Sequence, residues 1–286
     1  QLEFLSPDIT RQNYWAFRSR YAILVRRNFG ARATQLVVGF QRLPELNTII
    51  DQHSYRVLKE DCLDLPEKIY TKRFVSLTKE QVKAYEEMRR FNMTQVDGKT
   101  MTSLSTLSAL IRLHQISCGH ITLDDGETKE IKSNRMQELL NILDEVDGKV
   151  IIWANYRFDI QNIQKTLAEK FGEESVATYY GDTKDKDRQD IVEKFQDVDS
   201  KLKYFVGNPS TAGYGLTLTA AHTVIYFSNT YDLEKRMQSE DRAHRIGQTN
   251  KVTYIDIIAE GTKPETQTVF GKEIENPFPG INFISL

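Results

Sequence analysis

Two arginines three residues apart, Arg242 and Arg245, lie in a polar segment that follows the apolar run Val224-Ile225-Tyr226-Phe227 and also holds Arg236 and Gln238. A guanidinium is a planar, permanently charged fork of donors that matches phosphate oxygens. Upstream, a second apolar run, Tyr204-Phe205-Val206, leads into Pro209-Ser210-Thr211-Ala212-Gly213-Tyr214-Gly215. Small residues there let backbone amides and the Thr211 hydroxyl approach a phosphate oxygen, as an anion site at a helix start requires. The bland alternatives are a tight turn at the glycines and arginines paired with Glu240 and Asp241 on an exposed helix. The order read here is strand, glycine-rich loop, helix over Leu216 to Ala221, strand, arginine-bearing helix. A nucleotide-driven motor shapes one wall of its cleft in this way.

The opposite wall is missing from the sequence. A phosphate loop needs Gly, four residues, then Gly-Lys-Ser/Thr, so that backbone amides wrap the phosphates and the lysine meets their charge. Gly98-Lys99-Thr100 supplies only the ending, because Met93 stands where the first glycine belongs and no apolar strand precedes it. Leu143-Asp144-Glu145 ends a helical pattern, whereas magnesium carboxylates should end a strand. His114, Cys118 and His120 lack the paired spacing and fourth ligand of a structural zinc site, so no metal is expected. His244 is expected to pack or hydrogen-bond.

The elements that must position these residues follow from periodicity. From Ser133 onward helices and strands alternate: a helix burying Met136, Leu139, Leu140 and Leu143, then the strand Val150-Ile151-Ile152-Trp153. A helix with Ile160, Ile163 and Leu167, a strand from Val176 to Tyr180, and a helix with Ile191, Val192 and Phe195 come next. Val252 to Ile258 supplies the last strand. Such alternation implies a parallel sheet with helices on both faces. Before it, a helix is expected over residues 10–25, another from Pro44, and a strand over 68–76. Thr78 to Gln81 reads as a capping box, 92–102 as a loop, Leu104 to Leu113 as a helix and 121–131 as a hairpin.

With 286 residues, 40% hydrophobic and 27% charged, the chain has ordinary globular composition, and its net charge of −2 makes any DNA surface a local patch. Two cysteines, Cys62 and Cys118, exclude a disulfide framework. No apolar run approaches a membrane span, and no signal-peptide pattern opens the chain. It begins with Gln1, and a piece of a longer protein is expected.

Lys203 to Gln248 resembles motifs V and VI of the Swi/Snf family of helicase-like ATPases, in superfamily two. Arg242-Ala243-His244-Arg245-Ile246-Gly247-Gln248 is close to a signature of that family. Trp153-Ala154-Asn155-Tyr156 resembles motif IV, Gly181 to Arg188 the motif after it, and Tyr55 to Asp61 with Leu65-Pro66-Glu67-Lys68 the bridge between the two motor lobes. The resemblance covers most of residues 55–262. It ends after Glu260-Gly261-Thr262, where Lys263-Pro264 and the later Pro277-Phe278-Pro279-Gly280 break the family pattern.

The resemblance implies a RecA-like helicase C-terminal lobe, a parallel sheet sandwiched by helices, with an inserted helical protrusion. Its division would be 1–65 as remnant of the first lobe and linker, 66–132 as protrusion, 133–262 as the lobe and 263–286 as an irregular tail. Arg242 and Arg245 would be arginine fingers, with Gln238 and Gly215 also at the nucleotide. Asn155, Tyr156, Gly181, Thr211 and Gly213 would contact DNA. ATP and Mg2+ would serve the full-length protein, with the magnesium ligands on the first lobe and this piece inactive alone. The partners implied are double-stranded DNA and the first RecA-like lobe of the same chain, with no membrane and a monomeric state. The compartment would be the cytoplasm of a bacterial or phage-infected cell, or the nucleus of a eukaryote. Two other readings are a non-enzymatic DNA-binding or docking lobe, and an RNA or single-strand helicase of the same superfamily.

Overall fold

The computed structural model describes residues 6–29, 32–55, 57, 62–103, 106–211, 215–260, 265–269 and 272–276. The chain divides into two compact units, 1–64 and 65–286. In the first, helix α1 (Tyr14–Tyr21) is capped by the Asn13 side chain, which accepts from the Ala16 amide at 2.9 Å. The helix expected over 10–25 stops at Tyr21. The chain then enters β1 (Ala22–Phe29), paired antiparallel with β2 (Arg32–Phe40), and Leu24 faces Val37 across the ladder. The apolar, partly β-branched run Ala22 to Val25 suits a strand at least as well as a helix. Helix α2 (Leu43–His53) carries Pro44 in its first turn, as its sequence predicts.

The second unit is built on a six-stranded, all-parallel sheet. Its strands are β3 (Lys68–Ser76), β8 (Lys149–Trp153), β9 (Val176–Tyr179), β10 (Tyr204–Gly207), β11 (Ala221–Tyr226) and β12 (Val252–Glu260), in the order β3-β12-β11-β8-β10-β9. Alternating side chains build both faces. Val150, Ile152 and Val206 turn to one side, with Ile160, Ile163 and Leu167 of α6 (Arg157–Phe171) and Leu139 and Leu143 of α5 (Arg135–Glu145). Ile151, Trp153 and Phe205 turn to the other, against Phe195 of α7 (Asp185–Gln196) and Ala243. This is the RecA-like α/β architecture. The strand expected over 68–76 is part of this sheet, paired along nine residues with β12 from Lys68 opposite Val252 to Ser76 opposite Glu260.

A third apolar cluster fills the protrusion between β3 and α5. Its elements are α3 (Lys79–Phe91), the hairpin β4 (Met93–Val96) and β5 (Lys99–Thr102), α4 (Thr106–Cys118), and the hairpin β6 (His120–Thr122) and β7 (Thr128–Glu130). The capping box at Thr78 and Gln81 is present with both bonds. Gln81, rather than Val82, turns inward, and its side-chain amide donates to the Ile116 carbonyl at 2.8 Å. The 92–102 segment, read as a loop, is a hairpin. Asp97 (φ 50°) and Gly98 (φ 74°) supply the paired positive φ angles of a tight hairpin turn. Lys99, the lysine of the false phosphate loop, is ion-paired to Asp125 at 2.9 Å and to Glu127. Buried Arg135 ties the protrusion to the sheet by donating to the Ser117 carbonyl at 3.2 Å and the Ile257 carbonyl at 2.8 Å. Residues 265–269 and 272–276 pair as an antiparallel hairpin where an irregular tail was expected.

Candidate functional site: an arginine turn beside the strand ends

Helix α8 (Leu233–Glu240) follows β11 and is capped by the Asp232 side chain, which accepts from the Lys235 amide at 3.2 Å. It ends at Glu240, so Arg242 and Arg245 lie beyond it, in a turn, and not on the helix that the sequence suggested. The helix expected over Leu216 to Ala221 is also absent. In both places side chains or distant backbone take groups that a longer helix would pair internally, although the amides of Arg242, Ala243 and His244 still donate to the Ser239 and Glu240 carbonyls. The Leu218 amide donates to the Arg242 carbonyl at 2.9 Å. The Ala220 amide donates to Gln196 Oε1 at 2.9 Å. Gln248 Nε2, buried, donates to the carbonyls of Thr219 and Ala221 at 3.0 Å each and of Ala243 at 3.2 Å.

These bonds bring the two arginines to one point. Arg242 Nη1 and Arg245 Nη1 both donate to the Leu216 carbonyl, at 3.4 and 3.3 Å, directly after Gly215. Burial, and then the nearby charge of Arg245, push the Arg242 guanidinium below its usual pKa, with Asp241 opposing. Two cations brought together favour an anion between them. The bland pairing with Glu240 does not occur: that carboxylate is held by Arg236 at 2.9 Å, Lys68 at 3.1 Å and the Tyr70 hydroxyl at 2.8 Å. Burial pushes the Glu240 carboxyl up, but those three donors outweigh it and leave it below the usual value. His244 Nε2 donates to the Pro66 carbonyl at 2.6 Å, the hydrogen-bonding role expected of it. Gln238 stands apart, its amide donating to Glu234 one helical turn back at 2.9 Å.

The other candidates gather at the carboxyl ends of the strands, where ligands of open α/β sheets bind. The Asn208 side chain donates to the Asn155 carbonyl at 2.8 Å and its own oxygen accepts from the Ser210 amide at 2.8 Å, while the Thr211 amide donates to the Asn208 carbonyl at 3.1 Å. Asn155 spends its side-chain amide on the Asn229 carbonyl, and its backbone amide donates to Ser228 Oγ at 2.8 Å. Gly207 sits where these loops converge: a Cβ there would lie 2.9 Å from the Trp153 ring and 3.0 Å from the Tyr179 carbonyl. Gly181 is exposed, and Arg157 bridges to Asp182 at 2.7 Å. The Tyr156 hydroxyl meets His114 Nδ1 at 2.9 Å, and burial raises the phenol's pKa. Burial, then the charges of Arg135 and His120, push His114 down to about 3, so it meets Tyr156 as a neutral ring. His120 Nδ1 lies 2.9 Å from Asp159 with both side chains buried, and Cys118 is a buried thiol pushed up to about 12 by burial. Gly213 lies outside the described residues.

Residues 132–247 match the family model described as the helicase conserved C-terminal domain. The chain is 31% identical over 238 residues to YwqA of Bacillus subtilis (strain 168), whose name describes an ATP-dependent helicase/translocase; the match covers 79% of this chain and 25% of that protein. It is 28% identical over 234 residues to the SWI/SNF chromatin-remodeling complex subunit snf22 of Schizosaccharomyces pombe, covering 76% of this chain and 14% of that one. Among solved structures it resembles the Sulfolobus solfataricus SWI2/SNF2 ATPase core in complex with dsDNA, with 28% identity and a TM-score of 0.52 over 76% of this chain and 47% of that one. The chain belongs to the Swi/Snf family of helicase-like ATPases. It carries that family's C-terminal RecA-like lobe, and the C-terminal part of the Fun30 ATPase domain shares the fold at 18% identity with a TM-score of 0.53. The Swi/Snf chain spans about a quarter or less of the curated relatives it matches.

What the sequence missed in this Swi/Snf lobe is its scaffolding. Gln248 was read as part of a signature, and Gln196, Asn208, Asn229 and Arg236 carried no reading. Arg236 Nη1 donates to Asn229 Oδ1 at 2.8 Å and to Asp256, and its guanidinium lies 3.5 Å from the Tyr226 ring centroid. A side-chain amide next to a glycine-rich loop is the available signal, but the partner carbonyls lie up to 74 residues away.

Proposed function

We propose that this chain is the second motor lobe of an ATP-driven double-stranded DNA translocase. ATP, the substrate, supplies the phosphoryl group that is cleaved from it. Arg242 and Arg245 present cationic donors to the charge that develops on that group, a role that contributes about 10³ to 10⁵ in rate where an arginine finger acts. The observation that carries this reading is the convergence of both guanidinium groups on the Leu216 carbonyl beside Gly215. Gly215 completes the nucleotide side, with the Gln238 amide engaged by Glu234 in the free lobe, and magnesium would be held by carboxylates of the first RecA-like lobe. The strand-end loops carrying Asn155, Tyr156, Gly181 and Thr211 lie along the DNA backbone, with Asn155 acting through the loop it braces.

Duplex rather than single-stranded nucleic acid is favoured by Arg242-Ala243-His244-Arg245, which lacks the Gly-Arg-x-Gly-Arg pattern of single-strand and RNA helicases. The lobe by itself hydrolyses no ATP, because its sequence completes no phosphate loop. It binds duplex DNA weakly, with little sequence preference and a steep fall in affinity as salt rises. The deciding measurement is ATP turnover of the protein containing this lobe, with duplex DNA, single-stranded DNA or RNA added in turn. Stimulation by duplex alone is expected. Stimulation only by RNA, or none by any nucleic acid with the protein folded, overturns the reading.

A further inference from the structure

The arginine turn continues from α8 through the amides of Arg242, Ala243 and His244, which donate to the Ser239 and Glu240 carbonyls, and two groups from elsewhere in the fold grip it. Gln248 grips it from the sheet. The other grip comes from Pro66 to Tyr70, about 175 residues away in sequence and outside the motif-bearing stretch. His244 Nε2 donates to the Pro66 carbonyl at 2.6 Å, and the Val252 amide to the Glu67 carbonyl at 3.2 Å. Lys68 Nζ reaches Glu240 at 3.1 Å and Asp241 at 3.5 Å. The Tyr70 hydroxyl donates to Glu240 Oε2 at 2.8 Å while its ring stacks on Tyr254, with centroids 5.3 Å apart. The Tyr254 hydroxyl in turn donates to the Glu240 carbonyl at 2.9 Å. Glu240 is 7% exposed, and a carboxylate that dry is tolerated only when its lone pairs are filled. Here Arg236, Lys68 and Tyr70 fill them.

We propose that Pro66, Lys68 and Tyr70 form a clamp that holds Glu240 and His244 and thereby positions Arg242 and Arg245 for reaction. The inference rests on the arginine-finger reading above. Glu240 lies two residues before Arg242, and His244 lies between the two arginines, next to Arg245, so a shift of either held residue moves a guanidinium group. Catalytic groups tolerate little displacement: a misplacement of about 1 Å costs on the order of 10²-fold in rate. A residue that only held the fold together would instead lower the melting temperature and leave turnover below that temperature unchanged.

The test compares Tyr70→Phe, Glu240→Gln, Lys68→Arg and Arg245→Ala in the ATP-hydrolysing protein that contains this lobe. Glu240→Gln is expected to lower kcat about 10- to 100-fold and Tyr70→Phe about 3- to 10-fold, with KM for ATP within about twofold in both. Lys68→Arg keeps a donor on Glu240 and stays near wild type. In the 286-residue chain, amide exchange at 241–248 should quicken in Tyr70→Phe and stay unchanged in α6 and α7. Tyr70→Phe removes one hydroxyl from a side chain that is otherwise largely exposed and keeps the stacked ring, so it carries the test even if Glu240→Gln fails to fold. Wild-type kcat in Tyr70→Phe and Glu240→Gln, with Arg245→Ala inactive, overturns the clamp alone. Full activity in Arg245→Ala overturns the arginine reading, and the clamp's role in catalysis with it.

Discussion

The arginine turn and the strand-end loops are both irregular, both sit beside the same sheet, and are built on opposite plans. In the turn, side-chain amides and a carboxylate do the holding, through Gln248 and Glu240, and the cationic groups are what is held. In the loops, Asn155, Asn208 and Asn229 spend their side chains on one another's backbone or on Asp256, so the course of the backbone is what is held. The first plan delivers charge to a point. The second delivers a shape, which on the proposed reading suits a sugar-phosphate backbone followed without reading bases.

If that contrast is right, substitutions in the two regions should fail differently. The largest effect is expected from Arg245→Ala in the ATP-hydrolysing protein: a loss of about 10³-fold in turnover, or about 4 kcal/mol of barrier, with the melting temperature nearly unchanged. Lys235→Ala, an exposed position ten residues earlier, serves as the control, and equal losses in both would erase the distinction. Gln248→Leu should act on stability first. It leaves the buried Ala221 and Ala243 carbonyls and the half-buried Thr219 carbonyl short of a donor, at a cost of about 2–3 kcal/mol, or roughly 5–10 °C in melting temperature by calorimetry.

Asn155→Ala should destabilise the DNA-free chain by about 1–2 kcal/mol, because its amide braces the Asn229 carbonyl. A side chain reserved for DNA would leave the free chain's denaturation curve where it was, and that result would move Asn155 to the contacting surface. His114 on α4, bonded to Tyr156 at the edge of the loops, carries a pH signature. His114 is depressed from 6.5 to about 3 in the folded chain, so the unfolded chain binds the extra proton between those values. The stabilisation is therefore complete above pH 6.5 and declines as pH falls toward about 3. His114→Gln should flatten that acid limb in urea titrations at stepped pH; an unchanged slope would assign it to other groups. The smallest effect is expected at the exposed Arg157–Asp182 bridge, where Asp182→Asn should cost under about 1 kcal/mol and less at high salt.

The sequence by itself determined the sheet's strands from Val150 onward, the capping box at Thr78, and the residues that carry charge in the turn. Local information suffices for these: apolar runs bounded by glycine mark buried strands, a Thr-x-x-Gln spacing closes its own two bonds, and the Arg-Ala-His-Arg-Ile-Gly-Gln signature is continuous in the chain. The Asp97-Gly98 hairpin was equally local and its dipeptide signal was there to be read. Tertiary structure alone decided three things. It placed β3 at the sheet edge beside β12, since parallel pairing joins residues some 184 positions apart and leaves no local trace. It unwound the helix suggested over Leu216 to Ala221, because Gln196, Gln248 and the Arg242 carbonyl pair with that backbone more completely than a short threonine-bearing helix would. And it brought Arg242 and Arg245 to one carbonyl, beyond the end of the helix rather than along it, since the Leu216 carbonyl that both reach lies 26 and 29 residues away in sequence.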